Sequence, residues 1–150
     1  MMITGQSKRV IPFRPADANR IGEGCYYLDF IIWLNGEFAE LGDYVGFNYG
    51  VYVNAFGGLF IDDYSMIGTY SMIHTANHET DPSKPLQEQG HIKAPVAIGK
   101  WVWVGAAVMI LPGVTIGDGA IVGAGSVVSK DIPPWTVAVG NPCKVIKKRK

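Results

Sequence analysis

A six-residue repeat of β-branched residues runs through the second half of the chain. Its rungs are Ile98, Val104, Ile110, Ile116, Val122 and Val128. A second residue, usually small or β-branched, follows four positions after each rung, at Val102, Val108, Val114, Ala120, Ser126 and Ile132. A period of six fits neither the 3.6-residue period of an α-helix nor the strict alternation of a half-buried hairpin strand. The repeat therefore predicts a chain that coils through short strands.

The glycine content supports the same interpretation. The chain has 19 glycines among 150 residues, nearly double the usual share of roughly 7%. Those within the repeat include Gly105, Gly113, Gly117, Gly119, Gly123 and Gly125. Each would cost about 1 kcal/mol inside a helix, whereas corners between short strands accept the unusual backbone angles of glycine. We predict a single all-β domain over residues 1–150.

The first half carries the repeat less regularly. One ladder has the rungs Leu41, Phe47 and Val53, with Val45, Val51 and Gly57 as further inward positions. The next is shifted by two residues and has the rungs Ile61, Ile67 and Ile73, with Ser65 and Ser71 inward. A recognisable hexad opens at Ile21, with Cys25 inward, but residues 27–38 are aromatic and irregular. We interpret them as a poorly formed first coil or a cap.

A polar segment at about residues 74–97 interrupts the ladder. It contains Pro82, Pro85 and Pro95, which cannot continue regular strands. We predict an excursion loop, and long loops on a rigid scaffold often carry function. After Lys130 the regular coil ends, and residues 137–146 are expected to form a short C-terminal capping segment.

Charge and hydropathy exclude two classes of partner. Lys plus Arg and Asp plus Glu both total 13, so the formal net charge is zero, and we expect no nucleic-acid partner because phosphate binding needs excess positive charge. Residues 1–10 lack an apolar targeting segment, and the apolar run at 26–34 is too short to span a membrane. We therefore expect a cytoplasmic protein without membrane insertion, in which Cys25 and Cys143 stay reduced.

Residues 98–146, IGKWVWVGAAVMILPGVTIGDGAIVGAGSVVSKDIPPWTVAVGNPCKVI, closely resemble the C-terminal part of hexapeptide-repeat sugar O-acetyltransferases, such as the galactoside, maltose and capsular polysaccharide enzymes. This resemblance implies a left-handed parallel β-helix with three hexads per coil, an exception to the right-handed crossover rule. It also implies a homotrimer that binds acetyl-CoA between subunits and acetylates a hydroxyl of a sugar or surface-polysaccharide precursor. No metal is required by such an enzyme.

The segment TANHETD at 75–81 is similar to the catalytic segment of that family, which assigns His78 as the general base. A neutral alcohol is a poor nucleophile, and a neutral imidazole can accept its proton during attack. Asn54 matches an asparagine that helps to hold the acceptor in the galactoside-like branch. His74 is expected to orient His78, to contact the acceptor or to play a structural role, and His91 to line the acceptor pocket.

The resemblance also assigns the residues that contact acetyl-CoA. The Gly105–Ala106 corner is expected to face His78, and the backbone N–H of Ala106 to stabilise the oxyanion. The pantetheine arm, a flanking tryptophan, the nucleotide end and the phosphates are assigned to Gly105, Ala106, Gly123, Ala124, Trp103, Ser129, Lys130, Lys144 and Lys147. Each glycine could instead be only a corner, and each lysine only a solvated side chain. The helical N-terminal extension of the galactoside and maltose enzymes is missing, and Ala106 replaces a frequent serine.

Three other functions remain open from the sequence. A γ-type carbonic anhydrase has a similar β-helix and binds zinc through three histidines, and this chain has three, His74, His78 and His91. A non-catalytic β-helix would need no histidine in the loop. Within the acyltransferases, the acceptor could be an amine on a nucleotide-linked amino sugar rather than a hydroxyl.

Overall fold

The structure is a computed structural model that describes residues 9–150. The expectation that residues 1–10 lack a targeting segment therefore lies largely outside the described residues. Within this range, single turns of 3₁₀-helix lie at Pro15–Asp17, Gly36–Phe38 and Leu86–Glu88. The strands are β1 (Val10–Pro12), β2 (Arg20–Ile21), β3 (Tyr26–Leu28), β4 (Ile32–Leu34), β5 (Ala39–Leu41), β6 (Gly46–Phe47), β7 (Tyr52–Asn54), β8 (Leu59–Ile61), β9 (Met66–Ile67), β10 (Met72–His74), β11 (Ala76–His78), β12 (His91–Lys93), β13 (Val96–Ile98), β14 (Trp103–Val104), β15 (Met109–Ile110), β16 (Thr115–Ile116), β17 (Ile121–Val122), β18 (Val127–Val128), β19 (Thr136–Val139) and β20 (Lys144–Lys148).

The strands stack into three parallel faces. Face 1 contains β2, β5, β8, β13 and β16; face 2 contains β3, β6, β9, β14, β17 and β19; face 3 contains β4, β7, β10, β15 and β18. The chain visits the faces in this order in each turn, and the fold is a left-handed parallel β-helix of about six turns, as predicted. We number the coils 1 (19–38), 2 (39–58), 3 (59–75), 4 (96–113), 5 (114–131) and 6 (132–150).

Three corners, A, B and C, connect the faces. Corner A joins faces 1 and 2 and includes residues 62–65 and 99–102. Corner B joins faces 2 and 3 and includes residues 68–71 and 105–108. Corner C joins faces 3 and 1 and includes residues 55–58 and 111–114, and the excursion leaves the helix there.

The predicted rungs form the core. Strand pairing aligns them in columns, for example Leu41 with Ile61, Ile61 with Ile98, and Ile98 with Ile116 on face 1. Every rung named from the sequence is buried, and none exposes more than 2% of its surface. Short strands place each β-branched side chain directly on the one in the next coil, which favours the strand conformation in every turn.

The two-residue shift in the sequence is explained by the length of the coils. Pairing aligns Ala39 with Leu59 and Leu59 with Val96, and Val53 with Trp33, so the early coils repeat after twenty residues. The later coils repeat after eighteen, as in the pairing of Ile98 with Ile116. The two additional residues lie at corner C. Leu59 fills the inward position there, so the prediction that Gly57 does so is wrong.

Residues 27–38 belong to a complete first coil (19–38), whereas we predicted a poorly formed first coil or a cap. Tyr27 lies on β3 and Trp33 on β4, where each pairs with the next coil. Phe13 closes the open end, since its ring packs edge-on against Tyr27, Trp33 and Phe47 with centroids 5.0–5.5 Å apart. Large aromatic side chains therefore fill and cap the first coil where a β-branched column would leave the end open.

The C-terminal segment caps the other end. β19 continues face 2, and β20 turns back antiparallel to it. The guanidinium of Arg149 donates hydrogen bonds to the carbonyls of Trp101 and Gly119, which fixes the end of β20 to corner A. Cys25 and Cys143 are unpaired thiols, and burial raises the pKa of both, which makes each less reactive. No helix within residues 9–150 is long and apolar enough to cross a membrane.

Candidate functional site

The excursion at corner C is an ordered hairpin. It departs after Thr75 and rejoins face 1 at Val96, so its bounds are narrower than the predicted 74–97. β11 and β12 pair antiparallel, with His78 opposite His91. The base of the excursion is closed by the N–H of Ala94, which donates to the carbonyl of Thr75 at 2.8 Å. The loop is therefore held at both its base and its hairpin.

All three histidines lie around one cavity. The rings of His78 and His91 pack with centroids 4.4 Å apart, and the edge of Phe56 meets His91 at 5.6 Å. His74, at the end of β10, stacks on the ring of Tyr52 at 5.1 Å. The cavity has a volume of about 550 Å³, and its lining residues are Asn35, Tyr52, Asn54, Phe56, His74, Ala76, Asn77, His78 and His91.

Asn54 is fixed at the edge of this cavity, where strand pairing aligns it with His74. Its Oδ1 accepts the N–H of Phe56 at 3.2 Å and the side-chain amide of Asn35 at 2.8 Å. A backbone N–H can only donate, so the atom that faces it must be the oxygen. The Asn54 amide nitrogen has no protein acceptor among residues 9–150, and it is available to donate to a ligand.

Corner B is held in shape by Ser71. Its hydroxyl donates to the carbonyl of Gly105 at 2.8 Å and accepts the N–H of Val108 at 3.0 Å. In the described range, the backbone N–H groups of Ala106 and Ala124 donate to no protein acceptor, and both residues are exposed. The corner therefore presents two free donors beside very small side chains.

The remaining residues assigned to acetyl-CoA are divided between two parts of the surface. Trp103 projects from face 2 and is half exposed, and Gly123 is at corner B beside Ala124. Ser129 and Lys130 are exposed at corner C. Lys144 and Lys147 are exposed on β20, three positions apart.

A β-bulge brings these two lysines to one side of the sheet. Lys147 pairs with Val137 and Lys144 with Val139, because the register shifts between them. Val137 and Val139 are two residues apart in β19, so their side chains point to the same side of the sheet. Their partners, Lys147 and Lys144, therefore point to that side as well. Without the bulge, residues three apart in a strand would point to opposite sides. The arrangement can direct two ammonium groups at one anion.

Within one chain, the predicted site residues other than Lys144 and Lys147 on β20 form two groups at different corners. His74, His78, His91, Asn54, Ser129 and Lys130 belong to corner C. Gly105, Ala106, Gly123 and Ala124 belong to corner B, with Trp103 beside them on face 2. The expected approach of His78 to the Gly105–Ala106 corner is therefore not made within one chain.

The cavity is polar but carries few charges. No carboxylate, lysine or arginine is among its lining residues. The ammonium of Lys93 is close by, but it lies over the ring of Phe56 at 3.9 Å. Although the three histidines line one cavity, no group of three His, Cys, Asp or Glu side chains between residues 9 and 150 is arranged to hold a metal ion.

Five lining residues were not assigned to the site from the sequence, namely Asn35, Tyr52, Phe56, Ala76 and Asn77. Among them, Asn35 holds the side chain of Asn54. The coil length is the signal that could have found them. Subtracting one coil of twenty residues from His74 gives Asn54, and the residues around that position share the corner.

The sequence is similar to those of known hexapeptide-repeat proteins. The family signature described as bacterial transferase hexapeptide (six repeats) matches residues 95–130. The galactoside O-acetyltransferase of Escherichia coli (strain K12) is 40% identical over an aligned length of 132 residues, in an alignment that covers 75% of this chain and 62% of that protein. The chain aligns with between 32% and 62% of the length of such sequence relatives.

Solved structures agree over most of the chain. A maltose O-acetyltransferase from Clostridium difficile 630 is 38% identical with a TM-score of 0.76, covering 89% of this chain and 68% of that one. A hexapeptide-repeat-containing acetyltransferase from Vibrio cholerae O1 biovar eltor, complexed with acetyl coenzyme A, is 29% identical with a TM-score of 0.82, covering 91% and 74%. In sequence and in fold, this chain thus belongs to the hexapeptide-repeat acetyltransferase family.

Proposed function

We propose that this chain transfers an acetyl group from acetyl-CoA to a hydroxyl of a carbohydrate, with His78 as the general base. The observation that carries the proposal is the convergence of His78, His74 and Asn54 on one open cavity at corner C. The family relatives support it, since they include galactoside and maltose O-acetyltransferases and an acetyltransferase complexed with acetyl coenzyme A.

The proposed reaction is a proton-assisted acyl transfer. The imidazole of His78 accepts the proton of the acceptor hydroxyl as its oxygen attacks the thioester carbon. A C–O bond forms, and the carbonyl oxygen becomes an oxyanion that the N–H of Ala106 stabilises. The C–S bond then breaks, and His78 returns the proton to the departing thiolate. The products are an acetyl ester and CoA, and the base is regenerated.

The charge of the cavity supports a hydroxyl acceptor over an amine. An amino sugar is largely cationic near neutral pH, and a carboxylate is the side chain that would favour its ammonium group. The lining offers amides, imidazoles and a phenol but no carboxylate. Asn54 can donate to a sugar hydroxyl through its free amide nitrogen. A neutral, polyhydroxylated acceptor therefore fits the lining better.

Acetyl-CoA fits the second group of residues. An extended pantetheine arm can approach corner B closely because Gly105, Ala106 and Ala124 present little side chain there. The free N–H group of Ala124 can donate to an amide carbonyl of the arm, which leaves the N–H of Ala106 for the oxyanion. On β20, Lys144 and Lys147 can pair with phosphates from the same side of the sheet.

The division of the site between two corners supports a homotrimer. One ligand cannot contact corner B and the histidines at corner C within a single chain, whereas it can lie between corner B of one chain and corner C of the next. A head-to-tail contact of this kind uses different surfaces on the two partners, and three copies can close it into a ring. We propose three such sites per trimer.

The test is acetyl transfer by the purified protein with and without His78. We expect H78A to lower kcat by about 10²- to 10⁴-fold, without changing the melting temperature or the binding of acetyl-CoA. Glu79 is exposed and lies outside the cavity lining, so E79Q is the matched control and should retain activity. Unchanged turnover in H78A would remove His78 from the mechanism.

The acceptor is identified by thiol release with a panel of glycosides, polysaccharide repeat units and nucleotide-linked amino sugars. We expect turnover with neutral sugars and formation of an ester. Turnover confined to amino sugars, with an amide product, would replace the proposed O-acetyltransferase by an N-acetyltransferase. No thiol release with any acceptor would favour a binding or assembly role.

A further inference from the structure

The geometry points to a support for the catalytic hairpin, built from the two additional residues at corner C of coil 2. We infer that Phe56 is a positioning residue for His78, acting through His91. The inference rests on the proposed function only in giving His78 its role as the base. The contacts that carry it extend from the corner to the hairpin in three steps.

The first step is at the base of the excursion. The N–H of Gly57 donates to the hydroxyl of Thr75 at 2.7 Å, and that hydroxyl donates to the carbonyl of Asn54 at 2.9 Å. A Cβ on Gly57 would overlap the carbonyl oxygen of Thr75 and lie 2.9 Å from the amide nitrogen of Ala94. The enlarged corner therefore touches both ends of the excursion, and only a glycine permits this approach.

The second step is the contact between the corner and the hairpin. The ring of Phe56 meets the ring of His91 edge-on at 5.6 Å, and His91 packs against His78 at 4.4 Å. His91 and His78 are direct partners in the hairpin. A displacement of His91 therefore moves a side chain that packs on the ring of His78 from the facing strand.

The third step anchors Phe56 itself. Lys93, two residues after His91 on β12, places its ammonium over the ring of Phe56 at 3.9 Å and over Phe38 at 5.0 Å. The rings of Phe38 and Phe56 are 6.2 Å apart. Phe38 comes from the enlarged corner of coil 1, so two successive corners supply the aromatic base on which the hairpin rests.

The regular coils have no equivalent. Pairing aligns Val114 with Val96 and Val96 with Leu59, and Ile110 with Ile73 and Ile73 with Val53. Across corner C, the inward Val114 follows the rung Ile110 by four residues in coil 4, whereas the equivalent Leu59 follows Val53 by six residues in coil 2. Corner C of coil 2 is therefore two residues longer. Residues 111–113 bring no aromatic ring to the corner. The enlargement is confined to the coils that lie beneath the hairpin.

The test compares two Phe→Leu variants. Phe60 is exposed on face 1, away from the cavity, so F60L removes the same volume and is the matched control. We expect F56L to lower kcat about 10-fold or more, because a displaced base loses its alignment with the acceptor, with KM for acetyl-CoA unchanged. F56Y keeps the ring and should restore kcat, and F60L should match the wild type. Equal kcat in F56L and F60L would overturn the inference.

Two further measurements isolate the route through His91. If Phe56 acts through His91, the double variant F56L/H91L should be no slower than H91L alone, whereas losses that multiply would show two independent effects. Amide hydrogen exchange does not depend on activity. F56L should speed exchange in residues 76–93 and leave residues 96–131 protected. Unchanged exchange in the hairpin would overturn the inference that Phe56 supports it. If the wild type transfers no acetyl group, the proposed function fails while the exchange experiment still decides this inference.

Discussion

Coils 1 to 3 and coils 4 and 5 are built from the same repeat but present different surfaces. The later coils are eighteen residues long, and their corner B is made of small residues such as Gly105, Ala106 and Ala124. Coils 1 and 2 are two residues longer, and corner C of coils 1 to 3 bears Asn35, Phe56 and the histidine hairpin. The regular coils build a smooth surface, whereas the enlarged coils project individual side chains.

This difference follows the shapes of the two proposed ligands. A thin extended chain such as pantetheine needs close approach and evenly spaced donors, which identical corners provide. A compact carbohydrate needs polar groups aimed at one point, which identical corners cannot provide because they repeat the same direction in every coil. Departure from the repeat is therefore where specific recognition is expected.

The largest effect on stability is expected from G57A. The added methyl group would overlap the carbonyl oxygen of Thr75 and crowd the amide of Ala94, and both are backbone atoms that cannot turn away. We expect a loss of about 3 kcal/mol, seen as a melting temperature lowered by several degrees, together with loss of acetyl transfer. Thermal unfolding and steady-state kinetics measure the two effects.

Gly90 supplies the control for that variant. It also lies in the excursion, but the nearest atoms to an added Cβ belong to the flexible carboxylate of Glu79, at 3.3 Å. G90A should therefore leave the melting temperature within about one degree of the wild type. Equal losses of melting temperature in G57A and G90A would mean that any added methyl group in this region destabilises the fold. The effect of G57A would then not be specific to the enlarged corner.

A smaller effect is expected at the junction between the two kinds of coil. Ser71 and Ser65 make the same two hydrogen bonds one corner apart, since each donates to a glycine carbonyl of coil 4 and accepts a backbone N–H there. S71A and S65A each leave a partly buried carbonyl and a buried N–H unpaired. We expect both to lose about 1–2 kcal/mol of stability.

Only one of the two serines supports the proposed acetyl-CoA surface. Ser71 bonds Gly105, next to Ala106, whereas Ser65 bonds Gly99 at corner A. S71A should therefore raise KM for acetyl-CoA several-fold, and S65A should not, although both unfold at similar temperatures. If the two variants have the same KM, corner B is not where acetyl-CoA binds.

The regular half was the easier to predict. Spacing alone identifies the rungs from Ile98 to Val128, because every coil places the same residue type at the same point of the cross-section of the β-helix. The family resemblance then supplied the handedness and the candidate base, His78. The assignment of Gly57 to the core failed because six-residue spacing was extrapolated across a corner that has two more residues.

The rest depended on contacts that spacing does not encode. The interaction of Phe56 with His91 joins a corner of coil 2 to a hairpin more than thirty residues later, and no local pattern indicates it. The aromatic first coil looked irregular because Tyr27 and Trp33 replace β-branched residues, but a terminal coil has space for larger rings that an interior coil lacks. Long-range packing and chain ends are where a repeat pattern says least.

The smallest effect is expected at that aromatic end, where polar contacts assist the packing. The indole N–H of Trp33 donates to the backbone carbonyl of Asp17 at 2.7 Å, and the side chain of Asp17 pairs with Arg14. Hydrogen bonding to the Arg14 side chain holds the pKa of Asp17 below its usual value. A lowered pKa means that the pair stabilises the fold above the unfolded pKa, about 3.9, and that this contribution disappears as the pH falls through the folded pKa.

D17N removes the charge and keeps the shape of the side chain. Because Arg14 is exposed and its ion pair is screened by solvent, we expect the melting temperature to fall by only about 1–2 °C at pH 7. The difference between the wild type and D17N should stay constant from pH 7 to about pH 5 and shrink at lower pH as Asp17 is protonated. Thermal unfolding across this range measures it. A difference that widened in acid would show that the carboxylate of Asp17 destabilises the first coil, and the aromatic packing around Phe13 would then hold that end without help from the ion pair.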